Sequence, residues 1–299
     1  MVYIKVKKPG KKSFFKYNLN NFKGFMNHKE NFWEHGYLHV PEVFSEDEVL
    51  EMTKDLEWLM EDWAENSPGW SGPWRKELMD PETERKSTLT AMHDLQFYSK
   101  CWFEAVTNQK IVSIVSDLIG PEVELHHSTM HVKPPSTGHP FPMHQDWAFY
   151  MHKDSRYVDV LIHLDDTCHE NGEIRFLKGS HKNGSLQHIV KNEDGTPCTP
   201  HLSQKIFNLK ESVPVPAKKG DIVLFNINTI HGSYTNKTSL PRKLVRVGYK
   251  NPKNIQLEGQ SNQRPGLILS GTRKRNNGQS LFSTNSPRPI QTEDTFAVK

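Results

Sequence analysis

YVDVLIHL, residues 157–164, alternates apolar and more polar side chains along its whole length. One face carries Val158, Val160, Ile162 and Leu164, and the other carries Asp159, Leu161 and His163. Successive side chains of a β-strand point to opposite faces of its sheet. The stretch is therefore predicted to be a strand with one apolar face and one more polar face.

Further short segments of strand character lie around this stretch, each bounded by glycine, proline or asparagine: Val123–Val132, Glu173–Leu177, Asp221–Asn226 and Leu244–Tyr249. Helical patterns come earlier in the chain, at Asn27–Glu34, after the capping box Ser45–Glu48, and at Ile111–Ile119. Helices followed by many short strands predict a mainly β protein. Its core would be a sandwich or barrel, with N-terminal α-helices packed outside.

The chain of 299 residues is long enough for one large β domain and contains no internal repeat. Residues 1–26 are predicted to be a basic arm, either a solvated segment or one that seeks phosphate groups. Residues 27–255 are predicted to form a single domain, and residues 256–299 a polar C-terminal extension.

The composition limits which binding partners and which cellular compartment we expect for the protein. A net charge of +3 is too small to indicate nucleic-acid binding, and no apolar run is long enough to span a membrane. The 3 cysteines lie far apart and form no metal-binding or redox pair, which favours a reducing compartment. We therefore expect a cytoplasmic monomer or homodimer that binds a small molecule, with neither nucleic acid nor membrane as partner.

Residues 65–90 interrupt the regular pattern with the units Pro68-Gly69-Trp70 and Gly72-Pro73-Trp74. So long an irregular stretch inside a compact domain is commonly a functional loop. Two interpretations stay open: a lid that closes over a site, or an ordered surface excursion anchored by its tryptophans. Under the first interpretation, Trp74 is a candidate substrate contact.

The sequence Met143-His144-Gln145-Asp146-Trp147 places an imidazole and a carboxylate two residues apart. In an extended segment such residues point to the same side, so both can reach one metal ion. With a distant histidine they form the facial triad of non-haem iron(II) oxygenases. His231, just after the strand predicted at Asp221–Asn226, is the candidate third ligand. The motif alone is also what a core histidine beside a surface aspartate would give.

Arg242 lies shortly after His231 and just before the strand predicted at Leu244–Tyr249. A 2-oxoglutarate molecule that chelates a metal by its keto-acid end leaves a distal carboxylate, which arginine pairs with through two parallel hydrogen bonds. Arg242 is therefore predicted to bind this co-substrate, with the Ser233 hydroxyl as a second contact. Arg246, on the same face of that strand, is the competing candidate.

These motifs resemble the phytanoyl-CoA dioxygenase family of iron- and 2-oxoglutarate-dependent enzymes. The similar segments are Phe32–Leu38, Lys133–Gly138, Pro142–Asp146, Asn171–Lys182 and His231–Arg242. The resemblance spans roughly residues 27–250 and implies a double-stranded β-helix, the jelly-roll core of cupin-like proteins. The phytanoyl-CoA enzyme itself has a co-substrate lysine ahead of its first barrel strand. The matching stretch here, near Met92 and His93, has none.

The resemblance also implies site residues and chemistry. The iron ligands would be His144, Asp146 and His231. The co-substrate would be bound by Arg242 with Ser233, and Thr129 would contact it from the preceding strand. The cofactor set is Fe(II), 2-oxoglutarate and O2, and the products include succinate and carbon dioxide.

The implied activity is hydroxylation of a small organic molecule. Substrates in such a family include acyl-CoA esters, amino-acid derivatives, phosphonates and natural-product scaffolds, and the fold does not choose among them. The alternatives are a cupin-like module that binds metal or ligand without catalysis, and an oxygenase of the same fold that desaturates, cyclises or halogenates. Asp146 argues against halogenation, because halogenases of this fold have a small residue in place of the carboxylate.

Candidate substrate contacts flank the predicted metal site. Trp147 and Tyr150 follow it, and they either line a pocket or pack in the core. Together with Phe149 they would also suit a cage for a quaternary ammonium group. His127 and His131 share one face of the strand Val123–Val132, and they either bind an anionic substrate or are structural.

Overall fold

The computed structural model of the protein describes residues 20–262 and 264–273. Within them the helices are α1 (Asn20–His35), α2 (Glu46–Asp62), α3 (Arg75–Leu78), α4 (Pro81–Lys86), α5 (Lys100–Val106) and α6 (Gln109–Ile119). Strands β1 to β7 are, in order, Tyr37–Val40, Glu65–Ser67, Leu89–His93, Val123–Lys133, Phe141–His144, Tyr157–His163 and Ile174–Phe176. Strands β8 to β14 are Ile189–Lys191, Pro197–His201, Val213–Val215, Ile222–Asn226, His231–Ser233, Arg242–Lys250 and Leu267–Ser270. None of the described helices is long and apolar enough to cross a membrane.

Two antiparallel sheets form the core of the described chain. The larger has the strand order β1-β11-β6-β13-β4-β3-β2, with β14 also paired to β4. The smaller has the order β10-β7-β12-β5, and β8 and β9 form a separate hairpin. The expected jelly roll with flanking helices is confirmed, and so is the mainly β fold class.

Strand β6 lies inside the larger sheet, between β11 and β13, and all of its residues are buried. Val158, Val160 and Ile162 pack in the main hydrophobic core, which also contains the buried faces of the helices. Leu161 points the other way and packs with Phe176 of the smaller sheet. The more polar face predicted for this strand therefore faces the space between the sheets and not the solvent.

Helix α2 shows how local sequence sets an element's start. The Ser45 hydroxyl accepts a hydrogen bond from Glu48 N at 3.3 Å, and the Glu48 carboxylate accepts one from Ser45 N at 2.8 Å. This is the predicted capping box, and the buried stripe that follows is Val49, Met52, Leu56 and Leu59. Helix α1 begins at Asn20, earlier than predicted, so it takes in the end of the predicted basic arm. Residues 1–19 of that arm lie outside the described residues.

Residues 65–90 are not the irregular stretch that the sequence predicted. They contain β2, α3, α4 and the start of β3, and β2 pairs with β3 as an antiparallel ladder. The Asp80 carboxylate caps α4 by accepting hydrogen bonds from Glu82 N and Thr83 N, each at 3.0 Å. Neither short helix has a buried residue, so no apolar periodicity marks them in the sequence.

The predicted C-terminal extension is partly built into the fold. β14 pairs with β4, with Leu267 opposite Leu125. Ahead of it, Leu257 N donates to Met151 O at 2.7 Å, and Gln260 N donates to Phe149 O at 2.7 Å. This segment therefore runs alongside residues 149–151. Residues 274–299 lie outside the described residues.

Candidate active site

Three metal-binding side chains meet between the sheets, where β5 and β12 run side by side. His144 ends β5 and is the register partner of His231, the first residue of β12. Asp146 follows in a 3-10 turn, and its Oδ1 lies 3.2 Å from His144 Nε2 and 3.6 Å from His231 Nε2. The ligand atoms of the triad all lie within 4.8 Å of one another, which is close enough for one metal ion.

On the side away from this meeting point, the ring of each histidine contacts a backbone carbonyl oxygen. His144 Nδ1 lies 2.7 Å from the Pro142 carbonyl oxygen, and His231 Nδ1 lies 2.9 Å from the Thr229 carbonyl oxygen. A carbonyl oxygen only accepts, so each Nδ1 donates and each Nε2 is the ring nitrogen that faces the meeting point. Burial, together with the nearby His144, lowers the pKa of His231 to about 3, which keeps this ring neutral. Carbonyl partners of this kind orient metal-binding histidines.

Gln145 holds the turn between the two local ligands. Its amide nitrogen donates to the carbonyl oxygens of Gly184 at 2.8 Å and Asn228 at 2.6 Å, and its amide oxygen accepts from Leu186 N at 2.7 Å. The side chain is completely buried, and both polar atoms of its amide are used. A satisfied buried network of this kind is rigid, so the spacing of the ligands is set by the protein itself.

Arg242 begins β13 and points into the same space. Its side chain is buried, and its Nε has no hydrogen-bond partner among the described residues. Burial lowers the pKa of Arg242 to about 10, and the nearby charge of Asp165 offsets only part of that effect. A buried guanidinium without a paired anion costs several kcal/mol. Such a group fits a site that receives an anionic ligand, and the distal carboxylate of 2-oxoglutarate is one.

Lys133, the last residue of β4, is a second buried cation at this end of the site, and the sequence analysis missed it. It is the register partner of Arg242, and its Nζ donates to Ser233 Oγ at 2.7 Å and to the Tyr234 carbonyl oxygen. Burial, and then the charge of Arg242, holds the pKa of Lys133 well below its usual range. Its position, just past the predicted strand and on the face that carries His131, is the signal that would have identified it.

The triad and Arg242 open into one cavity of about 240 Å³. Its aromatic walls are Trp70, Phe141, Phe149 and Phe225. Its other polar lining residues include His93, Thr129, His131, Ser233, Arg246 and Gln260. Phe149 and Gln260 also border an outer groove together with Ser71 and Cys198, so the groove and the cavity share part of their lining.

The residues proposed for co-substrate and substrate divide into those that reach the cavity and those behind its wall. Thr129 lines the cavity, with its Oγ1 3.1 Å from His93 Nδ1, and His131 lines it as well. His127 and Tyr150 do not, because both contact the inner side of Arg246: His127 Nε2 lies 3.2 Å from Nη2, and the Tyr150 hydroxyl bonds to Nη1. They contact Arg246 and do not line the cavity.

The tryptophans also differ from the prediction. Trp147 packs beside Tyr150 and donates its Nε1 to the His152 carbonyl oxygen at 3.1 Å, outside the cavity lining. Of the three residues that could have formed an aromatic cage, Trp147, Phe149 and Tyr150, only Phe149 lines the cavity. Trp74 is 1% exposed and does not line the cavity, so it anchors its segment in the protein interior.

Trp70, which the sequence grouped with Trp74, is the cavity residue of that segment. Its ring centroid lies 4.7 Å from that of His144 and 4.8 Å from that of Phe149. Its backbone is held from behind, because Trp70 N donates to His139 Nε2 at 3.0 Å and Arg75 Nη1 donates to Trp70 O at 3.0 Å. Trp70 thus covers a metal-binding histidine from a fixed loop.

Comparisons with known proteins agree with this geometry. A family model described as phytanoyl-CoA dioxygenase matches residues 32–244. The chain is 28% identical over 230 residues to a probable alpha-ketoglutarate-dependent hypophosphite dioxygenase of Stutzerimonas stutzeri, a match that covers 75% of this chain and 78% of that protein. It is 27% identical over 242 residues to an ectoine dioxygenase of Stutzerimonas stutzeri strain A1501, covering 75% and 76%.

Solved structures share the fold. The carbocyclase SnoK from nogalamycin biosynthesis superposes with a TM-score of 0.64 at 21% identity, covering 82% of this chain and 93% of that one. EctD from S. alaskensis, solved with 2-oxoglutarate and 5-hydroxyectoine, superposes with a TM-score of 0.60 at 21% identity, covering 84% of both chains. At such identities the likeness shows a common fold and does not identify a substrate.

Proposed function

The chain belongs to the phytanoyl-CoA dioxygenase family and is an iron- and 2-oxoglutarate-dependent oxygenase, and we propose that it hydroxylates a compact polar molecule at a metal held by His144, Asp146 and His231. The observation that carries the assignment of residues is the buried Arg242, whose guanidinium lines the same cavity as the triad. The metal ligands and this cation are what a chelating keto acid with a second carboxylate requires at its two ends.

Each group has a separate task. Bound iron(II) and 2-oxoglutarate supply the oxidising power, with dioxygen as oxidant and succinate and carbon dioxide as products. His144 and His231 present their Nε2 atoms to the metal, and Arg242 with Ser233 orients the co-substrate through its distal carboxylate. Trp70 limits the access of water to the metal side of the cavity, which favours transfer of oxygen to the substrate over side reactions.

The size of the cavity supports a compact substrate. About 240 Å³ must accommodate the co-substrate and the reacting part of the substrate together. Pockets for drug-sized ligands measure roughly 300–1,000 Å³. An amino-acid derivative or a phosphonate therefore suits this cavity better than an acyl-CoA ester or a natural-product scaffold.

The charges of the cavity-lining residues favour a substrate that is polar and not cationic. Asp146 is the one carboxylate among the lining residues that the structure describes, and it is already paired with Arg246. A cationic substrate would therefore find no unpaired carboxylate among the described lining residues, whereas His131 and Gln260 offer hydrogen-bonding groups. The relatives named for hypophosphite and ectoine point to compact substrates of this kind.

Substrate-stimulated succinate formation tests the proposal. Iron-loaded protein is incubated with 2-oxoglutarate, air and one probe at a time: hypophosphite, ectoine, phosphonates, amino-acid derivatives and a long-chain acyl-CoA. We expect compact probes to stimulate succinate formation and the Asp146→Ala protein to form none. Stimulation by the acyl-CoA alone would overturn the size argument, and equal succinate from the Asp146→Ala protein would overturn the metal site.

A further inference from the structure

Both terminal nitrogens of the buried Arg246 are bonded to neighbouring side chains, and only its Nε lacks a hydrogen-bond partner among the described residues. Its Nη1 donates to Asp146 Oδ2 at 2.6 Å and to the Tyr150 hydroxyl, and its Nη2 donates to His127 Nε2 at 3.2 Å. Asp159 Oδ1 lies 3.5 Å from Nη1. The guanidinium is thus held by β4, by β6 and by the turn that carries the metal-binding carboxylate.

The groups around Arg246 are themselves held in place. The Tyr150 hydroxyl donates to Asp159 Oδ2 at 2.9 Å, and its ring centroid lies 5.2 Å from the guanidinium carbon. His127 Nδ1 lies 2.8 Å from His126 Nδ1, and His126 Nε2 lies 2.9 Å from Gln256 Oε1. One set of tautomers satisfies this chain: Nδ1–H on His127 and Nε2–H on His126 donate, and Nε2 of His127 accepts from the arginine. The orientation of Arg246 is therefore over-determined.

We propose that Arg246 is a positioning residue for the metal site, which engages one oxygen of Asp146 so that the carboxylate offers only its other oxygen to the metal. The geometry is asymmetric in this sense, because Oδ1 faces both histidines while Oδ2 faces the arginine. The proposal rests on the proposed function, since it assumes a metal at the triad.

The consequence concerns the positions left for ligands. A facial triad works because three protein atoms leave adjacent positions open on the metal. A keto acid that chelates the metal takes two positions, and dioxygen needs another. If Asp146 bound through both oxygens, it would compete for one of these positions. Arg246 prevents this competition, so its loss should weaken co-substrate binding more than metal binding.

The experiment uses two variants, because removal of a buried cation can also unfold the protein. Arg246→Lys keeps the charge but cannot bridge Asp146, Tyr150 and His127 at once. The double variant Arg246→Gln/Asp159→Asn removes the arginine together with the acidic side chain whose Oδ1 lies 3.5 Å from its Nη1. Arg156→Lys, which changes a surface arginine paired with Asp154 at 2.7 Å, is the matched control.

Two titrations are measured by calorimetry without oxygen: Mn²⁺ into the metal-free protein, and 2-oxoglutarate into the metal-loaded protein. Loss of an outer partner of a metal ligand typically lowers metal affinity or activity by about 10–100-fold. We expect the 2-oxoglutarate affinity to fall by about that factor in both variants, while the Mn²⁺ affinity falls by a smaller factor, because the second oxygen of Asp146 would then be free to bind the metal. The preference for 2-oxoglutarate over pyruvate, which lacks the distal carboxylate, should persist because Arg242 is intact.

Other results overturn the proposal. If Mn²⁺ and 2-oxoglutarate affinities fall together, Arg246 has a merely structural role. If 2-oxoglutarate affinity changes by less than about threefold in a folded variant, Asp146 does not need the arginine to stay monodentate. If the preference over pyruvate disappears instead, Arg246 binds the distal carboxylate. A failure of the proposed function gives a different signature, because His144→Ala protein would then bind Mn²⁺ as well as the unmodified chain does.

Discussion

Replacement of Arg242 by methionine should separate stability from co-substrate binding. Methionine keeps most of the length of the side chain and removes the charge. The guanidinium is buried, with its Nε lacking a hydrogen-bond partner among the described residues. Because an unpaired buried charge costs several kcal/mol, its removal should leave the melting temperature unchanged or raise it.

The affinity for 2-oxoglutarate should change in the opposite direction. Hydrogen bonds to charged groups contribute about 1.5–3 kcal/mol, and the bidentate pair in a dry site should lie toward the upper part of that range. A loss of about 2–3 kcal/mol corresponds to roughly 30- to 140-fold in affinity, since 1.4 kcal/mol is tenfold. Pyruvate has no distal carboxylate, so its affinity should be the same for both proteins.

The assay is titration of each keto acid into Mn²⁺-loaded protein without oxygen, together with a thermal melt of the metal-free protein. Arg85→Gln, at an exposed arginine of α4, is the control. A parallel loss of 2-oxoglutarate and pyruvate affinity would show that Arg242 acts on the metal end of the ligand. A sharp drop in melting temperature would show that the guanidinium has a stabilising partner. Either result refutes the reasoning.

Further predictions concern the metal, the second cation and the aromatic wall. Mn²⁺ at one hundred times its dissociation constant should stabilise the protein by about 2.7 kcal/mol, and a melt of the Asp146→Ala variant should show no such gain. Lys133→Met should raise the KM for 2-oxoglutarate less than Arg242→Met does, because Lys133 acts through the Ser233 hydroxyl; an equal rise in steady-state assays would contradict this. Trp70→Ala should raise the ratio of succinate to hydroxylated product well above one, whereas Trp74→Ala should chiefly lower the melting temperature. A ratio near one for Trp70→Ala would remove its shielding role.

The fold was predictable wherever burial imposes a period on the sequence. β6 and β4 lie in the middle of the larger sheet, and their alternation gave their faces correctly. The short helices α3 and α4 escaped because they bury no residue, so nothing in their apolar pattern marks them. β14 escaped for a similar reason, since it is an edge strand whose residues are partly exposed.

The metal ligands could be predicted from the sequence, but the positions of the other site residues along the barrel could not. The spacing of His144 and Asp146 is local chemistry, and it indicated the metal motif without knowledge of the fold. The periodicity of a strand tells which residues point inward, but not how far along the barrel each one lies. His127 and His131 share a face for this reason, yet one contacts the back of Arg246 and the other lines the cavity.

The same limit explains why the sequence could not separate Arg242 from Arg246. Both lie on the inward face of β13, and both are buried. The two arginines differ in the side chains that the neighbouring strands place beside them. Asp159 of β6 stands opposite Gly248, and a side chain at Gly248 would overlap the Tyr157 hydroxyl, so the network around Arg246 closes tightly at that end.

At the other end of β13, Arg242 is opposite Lys133. The two ends of β13 thus differ: Arg246 Nη1 lies within 3.5 Å of two carboxylates, whereas Arg242 stands opposite the Lys133 amine, with only the charge of Asp165 nearby. Paired buried charges are held in place, while unpaired ones favour the entry of an anion. The roles of the two arginines therefore follow from where the acidic side chains lie, with Arg246 committed to Asp146 and Arg242 free for the carboxylate that the co-substrate brings.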